Sequence, residues 1–254
     1  MKQNKPQVIV GTSGWQYGHW NGKFYPDKMK AKDKLAYFAE HFHSVEINST
    51  FYHVPLESSV QNWYDGVPAD FKYVIKLNRF LTHTKRLTSD EQFSESLHDF
   101  FRRISLLKEK LAAVLVQLPP SMKADNNRLE FVAVEVEKYE KEFGVRFPLA
   151  FECRNISWFN QGTFDLMKRY NIANVINDSP NRWPASTQVT ADFAYIRFHG
   201  NKQLYRSSYS DEELKDWAGF IKTECKNCKT VYCYFNNDFG GAAIDNAQTL
   251  AHLV

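Results

Sequence analysis

Short apolar runs and longer amphipathic segments alternate along the whole chain. Apolar runs of roughly four to eight residues are typical of buried strands, whereas apolar residues at every third or fourth position are typical of helices that pack on one face. Eight strands are predicted, at residues 8–12, 44–48, 71–77, 112–118, 147–153, 172–176, 193–199 and 230–236. Helices are predicted at residues 32–43, 58–66, 90–109, 127–143, 161–170, 211–224 and 241–253.

The order of these elements indicates the fold. Strands that alternate with helices pair in parallel, and eight such units in about 250 residues have the size of a (β/α)8 barrel. We therefore predict an α/β fold with one TIM-type barrel domain over residues 1–254. The sixth crossover is irregular, since it contains Pro180, Trp183 and Pro184 and no clear helical period. An open doubly wound sheet is the alternative, but neither a GxGxxG nor a Walker motif follows the first strand.

Composition narrows the class of protein only slightly. The chain has 254 residues, is 43% hydrophobic and carries a formal charge of +3, which is too small to demand a nucleic-acid partner. No apolar run approaches the roughly 18–20 residues that cross a bilayer. The polar start, MKQNKPQ, has no apolar signal core, so we predict a cytoplasmic protein without a membrane partner. The sequence leaves the oligomeric state open.

Polar side chains gather at the carboxyl ends of the predicted strands. Residues two apart on a strand face the same side, so Lys76 and Asn78 share one face, as do Glu152 and Arg154, while Ile75 lies on the opposite face. In a barrel, one face of each strand points to the interior, and ligands bind where the carboxyl ends meet. The pattern predicts a ligand site at this mouth, and a structural ion-pair network is the alternative.

The residue types at the mouth suggest two kinds of role. Paired carboxylates divide acid and base work when their environments separate their pKa values, guanidinium groups match phosphate or carboxylate, and aromatic faces suit sugar rings or unstacked bases. The candidate catalytic residues are Glu46, Glu152, Asp178 and His199. The candidate ligand-binding residues are Trp15, Tyr52, Lys76, Asn78, Gln117, Arg154, Trp158, Arg197, Asn236 and Asn237.

Metal binding is less favoured than anion binding. Glu46, Glu152, Asp178 and His199 offer oxygen and nitrogen atoms of the kind that bind magnesium or manganese. The neighbouring cations would repel a metal ion, and the chain has no HxH or HExxH pair. We predict no cofactor, with a divalent metal as the alternative. The Cys225-Lys-Asn-Cys228 segment lacks a second CxxC or a nearby histidine, which indicates ordinary thiols.

Six motifs resemble those of the YecE-like family, a domain of unknown function. They are Val10-Gly-Thr-Ser-Gly-Trp15, Glu46-Ile-Asn-Ser-Thr-Phe-Tyr52, Gln117-Leu-Pro-Pro-Ser121, Glu152-Cys-Arg-Asn-Ile-Ser-Trp158, Tyr195-Ile-Arg-Phe-His-Gly200 and Tyr234-Phe-Asn-Asn237. The resemblance covers nearly the whole chain and implies a TIM barrel with a polar mouth built from these motifs. It implies no reaction. One departure is Asn155, which follows Arg154 where relatives have histidine.

Three functions fit these observations. We favour a protein that binds, and as an enzyme would transform, a small polar anionic ligand such as a phosphorylated or carboxylated sugar, by acid/base hydrolysis, elimination or isomerisation. A nucleic-acid-binding or phosphodiester-processing protein is the first alternative, although the small net charge argues against it. A non-catalytic ligand-binding barrel is the second alternative.

Overall fold

The strands pair in the order in which they occur in the chain, and the last one closes on the first. The structure is a computed structural model that describes residues 5–180 and 182–254. All neighbouring strands are parallel, and β1 pairs with both β2 and β8 to form a closed barrel. The strands are β1 (Gln7–Ser13), β2 (Ser44–Ile47), β3 (Lys72–Lys76), β4 (Leu111–Gln117), β5 (Leu149–Glu152), β6 (Ala173–Asp178), β7 (Phe193–Phe198) and β8 (Thr230–Phe235).

Helices cover the outside of this barrel. They are α1 (Lys34–Ala39), α2 (Ser49–Tyr52), α3 (Glu57–Asp65), α4 (Glu91–Ile104), α5 (Asn126–Phe143), α6 (Gln161–Arg169), α7 (Asp211–Glu224) and α8 (Ala242–Leu253). Local sequence sets several of their ends. Ser210 and Glu213 form a capping box at the start of α7, and Gly144 adopts a left-handed conformation at the end of α5.

The two faces of each strand belong to different cores. On β7, Ala194, Ile196 and Phe198 face outward into the large apolar layer beneath the helices, whereas Phe193 and Tyr195 face the barrel interior. This alternation is what parity predicts for parallel strands that are covered on both faces. The next interior position after Tyr195 is Arg197, so the same parity turns a charged residue into the upper barrel.

The predicted barrel is confirmed, with differences at two connections. The predicted helix 90–109 ends as an α-helix at Ile104 and continues as the 3-10 segment Ser105–Lys110, in which Lys108 leaves helical geometry. Between β6 and β7, the described residues form no helix, as the irregular sixth crossover predicted. Residues Ser49–Tyr52, where no helix is predicted, form one turn of helix that directs Phe51 towards the mouth.

Gly11 permits the close approach of β1 to β2. A β-carbon at this position would lie 2.2 Å from the backbone oxygen of Ser44, so a side chain requires a shift of the strand backbone. We expect Gly11→Ala to lower the free energy of unfolding by about 1–3 kcal/mol, as overpacking of a core does. Gly219→Ala is the matched control, because nothing lies within 4 Å of its added carbon on α7. Urea unfolding of both variants tests this, and equal losses of stability would contradict it.

Candidate functional site at the carboxyl-terminal mouth

Glu46 lies at the interior end of β2 and accepts four hydrogen bonds. Its Oε1 accepts from Ser13 Oγ at 2.7 Å, Asn48 Nδ2 at 2.9 Å and Arg197 Nη2 at 2.7 Å. Its Oε2 accepts from Tyr195 Oη at 2.7 Å. A carboxylate has about four lone-pair positions, so these partners nearly exhaust its capacity to accept hydrogen bonds. The carboxylate is completely buried.

Arg197 joins Glu46 to a second buried carboxylate, that of Glu152. Its Nη1 donates to Glu152 Oε2, while Glu152 Oε1 accepts from Nε and Nη2 of Arg154, each at 2.6 Å. The guanidinium of Arg154 lies 3.6 Å from the centre of the Trp183 ring. The four charged side chains therefore form a continuous network, Glu46–Arg197–Glu152–Arg154, in which opposite charges alternate.

The network keeps both carboxyl groups ionised. Burial by itself raises the pKa of Glu46, but the Arg197 charge and the hydrogen bonds from Arg197, Tyr195 and Ser13 outweigh it and lower the pKa. Burial also raises the pKa of Glu152, but the charges of Arg154 and Arg197 outweigh this effect. The pKa of Glu152 therefore lies well below its usual range. Because both pKa values move in the same direction, the environments do not separate them into an acid and a base.

Lys76, at the interior end of β3, is the cation that this network leaves without a partner. Its side chain is buried, and Nζ lies 4.3 Å from the centre of the Phe51 ring. No residue in the described part of the chain forms a hydrogen bond or an ion pair with Nζ. Burial lowers the pKa of Lys76 to about 7, and the charge of Arg197 acts in the same direction. The amine therefore changes charge near neutral pH.

His199 is a neutral donor in this setting. The Asn236 amide nitrogen lies 3.2 Å from Nδ1 of His199, so Nδ1 accepts and Nε2 carries the proton. Burial, followed by the charge of Arg197, lowers the pKa of His199 to about 3. The buried atoms His199 Nε2, Arg197 Nε and Asn177 Nδ2 have no hydrogen-bond partner among the described residues. Arg197 and Asn177 occupy interior-facing strand positions, and His199 directly follows β7 on the same face.

Two further predicted residues reach the mouth in different ways. Gln117, at the interior end of β4, is buried, and no described residue forms a hydrogen bond with its amide. The Asn78 amide is occupied, since Nδ2 donates to the Thr50 backbone oxygen at 3.0 Å and Oδ1 accepts from the Phe80 backbone nitrogen at 2.9 Å. Asn78 therefore fixes the loop after β3 rather than offering free hydrogen-bonding groups.

Asp178 and Asn237 do not join the predicted site. Each directly follows an interior-facing residue, so strand parity turns its side chain outward. Asp178 lines a surface pocket beside α7, where Tyr209 and Trp217 form hydrogen bonds with it and burial raises its pKa. Asn237 Nδ2 donates to the Ser207 backbone oxygen at 3.0 Å and to Asn246 Oδ1 at 2.9 Å. Placing the two residues at the mouth was wrong.

Two of the three predicted aromatic residues also lie elsewhere. Trp158 is completely buried in the outer core, and its Nε1 donates to the Met122 backbone oxygen at 2.9 Å. Trp15 is buried in the same core and packs edge to face on Trp63, with 6.3 Å between ring centres. Tyr52 is 62% exposed, but it packs edge to face on Phe51, whose ring covers Lys76. Tyr52 therefore lies at the edge of the mouth, whereas the two tryptophans do not reach it.

Besides Phe51, which covers Lys76, the residues predicted from sequence omitted four others at the mouth. Ser13 and Tyr195 hold Glu46, Asn177 supplies a free buried donor, and Trp183 covers Arg154. Strand parity carries the signal for Tyr195 and Asn177, which lie two positions from interior residues. No local pattern marks Trp183, because it lies in the irregular β6–β7 connection.

The side chains at the mouth are poorly arranged to coordinate a metal ion. Among residues 5–180 and 182–254, no group of three or more histidine, cysteine, aspartate or glutamate side chains is placed to hold one. Glu46 and Glu152 direct their oxygen atoms at guanidinium groups instead.

All four cysteines, including Cys225 and Cys228, are free and buried. In the described part of the chain, no helix is long and apolar enough to cross a membrane.

The fold and the mouth define a TIM-barrel protein with a buried charged site at the carboxyl ends of its strands. The chain belongs to the family "Protein of unknown function DUF72", which matches residues 9–254. It is 27% identical to the UPF0759 protein YunF of Bacillus subtilis, over 97% of this chain and 94% of that protein. The UPF0759 protein YecE of Escherichia coli is 24% identical over 44% of this chain and 38% of its own length, and the YecE-like resemblance is confirmed.

A solved structure from the same family supports the architecture. The DUF72 family protein of Thermotoga maritima superposes with a TM-score of 0.80 at 28% identity, covering 97% of this chain and 98% of that one. The family description assigns no reaction, so a function has to be argued from the site itself.

Proposed function

We propose that the mouth binds a small polar ligand with an anionic group, such as a phosphate- or carboxylate-bearing, sugar-like molecule. The charge balance of the site carries this proposal. Three cations, Lys76, Arg154 and Arg197, face two carboxylates, Glu46 and Glu152, so one positive charge is left over when Lys76 is protonated. That charge lies on Lys76, which has no hydrogen-bond or ion-pair partner among the described residues. An anion at the mouth would neutralise it.

The unpartnered donors support the same class of ligand. Arg197 Nε, His199 Nε2 and Asn177 Nδ2 are buried without acceptors in residues 5–180 and 182–254, and each unsatisfied buried donor costs about 1–3 kcal/mol. A ligand rich in oxygen acceptors relieves this cost, as phosphate, carboxylate and sugar hydroxyl groups do. The Gln117 amide adds a group that both donates and accepts. The mouth thus combines one free charge with several oriented donors.

Within this proposal, the charged residues have different roles from those that their charges alone would suggest. Arg197 and Arg154 are occupied by carboxylates, so their role is to position Glu46 and Glu152 and to shape the mouth. Lys76 is the residue that contacts the anion. Glu46 makes four hydrogen bonds and stays ionised, which disfavours it as the group that moves a proton.

Sulfate binding as a function of pH tests the proposal. Sulfate keeps its charge between pH 6 and 8, whereas Lys76 loses its proton around pH 7. We expect saturable binding whose affinity falls about tenfold from pH 6 to pH 8, since only the protonated amine attracts the anion. Isothermal titration calorimetry measures the affinity. Lys76→Met should abolish the binding, and Lys76→Arg should retain it without the pH dependence.

Lys72→Met provides the matched control, because Lys72 lies at the opposite end of β3 and donates to the Glu109 backbone oxygen. This variant should bind sulfate like the natural chain. Absence of saturable binding, or an affinity that ignores both pH and Lys76, would reject the proposal. The alternatives give other outcomes. A nucleic-acid-binding protein requires affinity for DNA or RNA that falls steeply with salt, and a non-catalytic barrel binds its ligand without converting it.

A further inference from the structure

Three lysines are buried in the described part of the chain, and Lys76 differs from the other two. Lys110 Nζ donates to the backbone oxygens of Tyr64 and Val67, and Lys34 Nζ donates to Asn21 Oδ1. All three amines lie over an aromatic ring, but Lys76 Nζ has no such acceptor among the described residues. The Phe51 ring is then its main close-range stabiliser in the charged form, so burial makes the neutral form accessible at moderate pH.

The position of this amine suits chemistry as well as binding. It ends the interior face of β3, and Lys76 remains 9% exposed. Burial disfavours the positive charge on it most strongly, and the Arg197 cation acts in the same direction, while the Glu152 and Glu46 carboxylates oppose the shift in pKa. A desolvated lysine beside other cations is a typical activated amine nucleophile.

We propose that Lys76 Nζ attacks the carbonyl carbon of an anionic ligand held at the mouth and forms a Schiff base with it. This inference rests on the proposed function, to which it adds the substrate class, aldehydes or ketones that bear a carboxylate or phosphate, and the residue that reacts. It makes Lys76 a catalytic residue in addition to an anion contact.

The atoms balance without an external oxidant or reductant. The nitrogen lone pair forms the C–N bond while the carbonyl π electrons move to oxygen, which gives a carbinolamine after proton transfer. Loss of water then breaks the C–O bond and forms C=N, so the amine and the carbonyl compound yield an imine and one water molecule. Both nitrogen protons of the neutral amine leave with the carbonyl oxygen.

Reductive trapping tests this inference with two probes, pyruvate and D-glyceraldehyde 3-phosphate. Each is incubated with the protein and sodium cyanoborohydride, which reduces an imine to a stable secondary amine, and peptide mass spectrometry locates the adduct. We expect Lys76 to be labelled at least about tenfold faster than surface lysines at pH 7, because the pKa of Lys76 is about 7 and surface amines near pKa 10.4 are almost wholly protonated. At subsaturating probe, its labelling rate should pass through a maximum near pH 7, because the charged amine attracts the anion and the neutral amine attacks the carbonyl carbon.

The variants separate this inference from anion binding. Lys76→Arg keeps the charge but forms no imine, so it should bind sulfate and lose the selective adduct, whereas Lys72→Met should keep both. Sulfate should slow labelling of Lys76. Sulfate binding that depends on Lys76, with adducts no faster there than on surface lysines, overturns the Schiff base and leaves the proposed function standing. Selective labelling of Lys76 that sulfate does not slow would support the Schiff base and reject the proposed anion site. Circular dichroism checks that each variant is folded.

Discussion

Replacing Arg197 with methionine is expected to lower the free energy of unfolding by about 3–5 kcal/mol at pH 7, since removing one partner leaves a buried charge uncompensated. Arg197 is almost wholly buried and contacts both Glu46 and Glu152. Glu152 retains Arg154, but Glu46 loses its only cationic partner among the described residues. Methionine fills much of the same space, so the loss reports mainly on charge. Urea unfolding followed by circular dichroism measures it.

The pH dependence of this loss identifies its cause. In the natural chain the pKa values of both carboxyl groups are lowered, so their contribution is fully present above the unfolded pKa and disappears only in acid. In Arg197→Met, burial without the guanidinium raises the pKa of Glu46. The deficit should therefore be largest near pH 8 and shrink towards pH 5. A deficit that is independent of pH would point to packing instead.

Two companion variants sharpen the result. Adding Glu46→Gln to Arg197→Met removes the stranded charge, so this second substitution should cost less than it does in the natural chain. Arg102→Met is the surface control. Arg102 pairs with Glu57 and Asp99 but is exposed, and solvent screening makes such pairs contribute little. Similar losses for Arg102→Met and Arg197→Met would contradict the role assigned to the buried network.

Replacing Lys76 with methionine is expected to raise the free energy of unfolding, whereas Arg197→Met lowers it. The pKa of Lys76 is about 7 in the folded protein and about 10.4 in an unfolded chain, so the unfolded chain binds more protons between these values. The folded state therefore bears a penalty that is complete below pH 7 and disappears as pH rises towards 10.4. Lys76→Met should be more stable than the natural chain by about 3–5 kcal/mol at pH 6, a gain that falls to about half by pH 9.

Lys110→Met is the matched control for this result, because Lys110 is equally buried but donates to two backbone oxygens. Its loss leaves two acceptors unsatisfied and should destabilise the protein. Unfolding in urea at several pH values compares the two variants. Equal destabilisation by both would show that Lys76 is an ordinary buried lysine. A residue that costs stability at the mouth of a barrel is expected when binding or chemistry requires it.

The mouth thus contains two parts with different physical behaviour. The network of Glu46, Arg197, Glu152 and Arg154 holds fixed charges that do not titrate near neutral pH. Lys76 is the group at the mouth whose charge changes there. The first part suits the positioning of a ligand, and the second suits recognition of an anion and attack on a carbonyl carbon. Substrate binding and stability should consequently respond to pH through the same amine.

Strand parity accounts for both the successes and the failures of the sequence-based site. Lys76, Glu152, Arg197 and His199 follow the interior face of their strands, so the period of two placed them together correctly. The same rule separates Asn177 from Asp178 at the end of β6, and only Asn177 faces the interior. Helices 211–224 and 127–143 were predicted nearly to the residue, because caps and long amphipathic repeats fix them locally.

The sequence by itself determined the alternation of strands and helices, the barrel, and the end of the barrel at which charged side chains collect. These features depend on short-range periodicity, which any stretch of chain carries within itself. Only the tertiary structure decided which charges pair. It also decided that four hydrogen bonds nearly fill the accepting capacity of Glu46, and that Lys76 has no hydrogen-bond or ion-pair partner among the described residues. Those outcomes depend on distances between side chains on different strands and on the exclusion of water, and only closure of the barrel sets both.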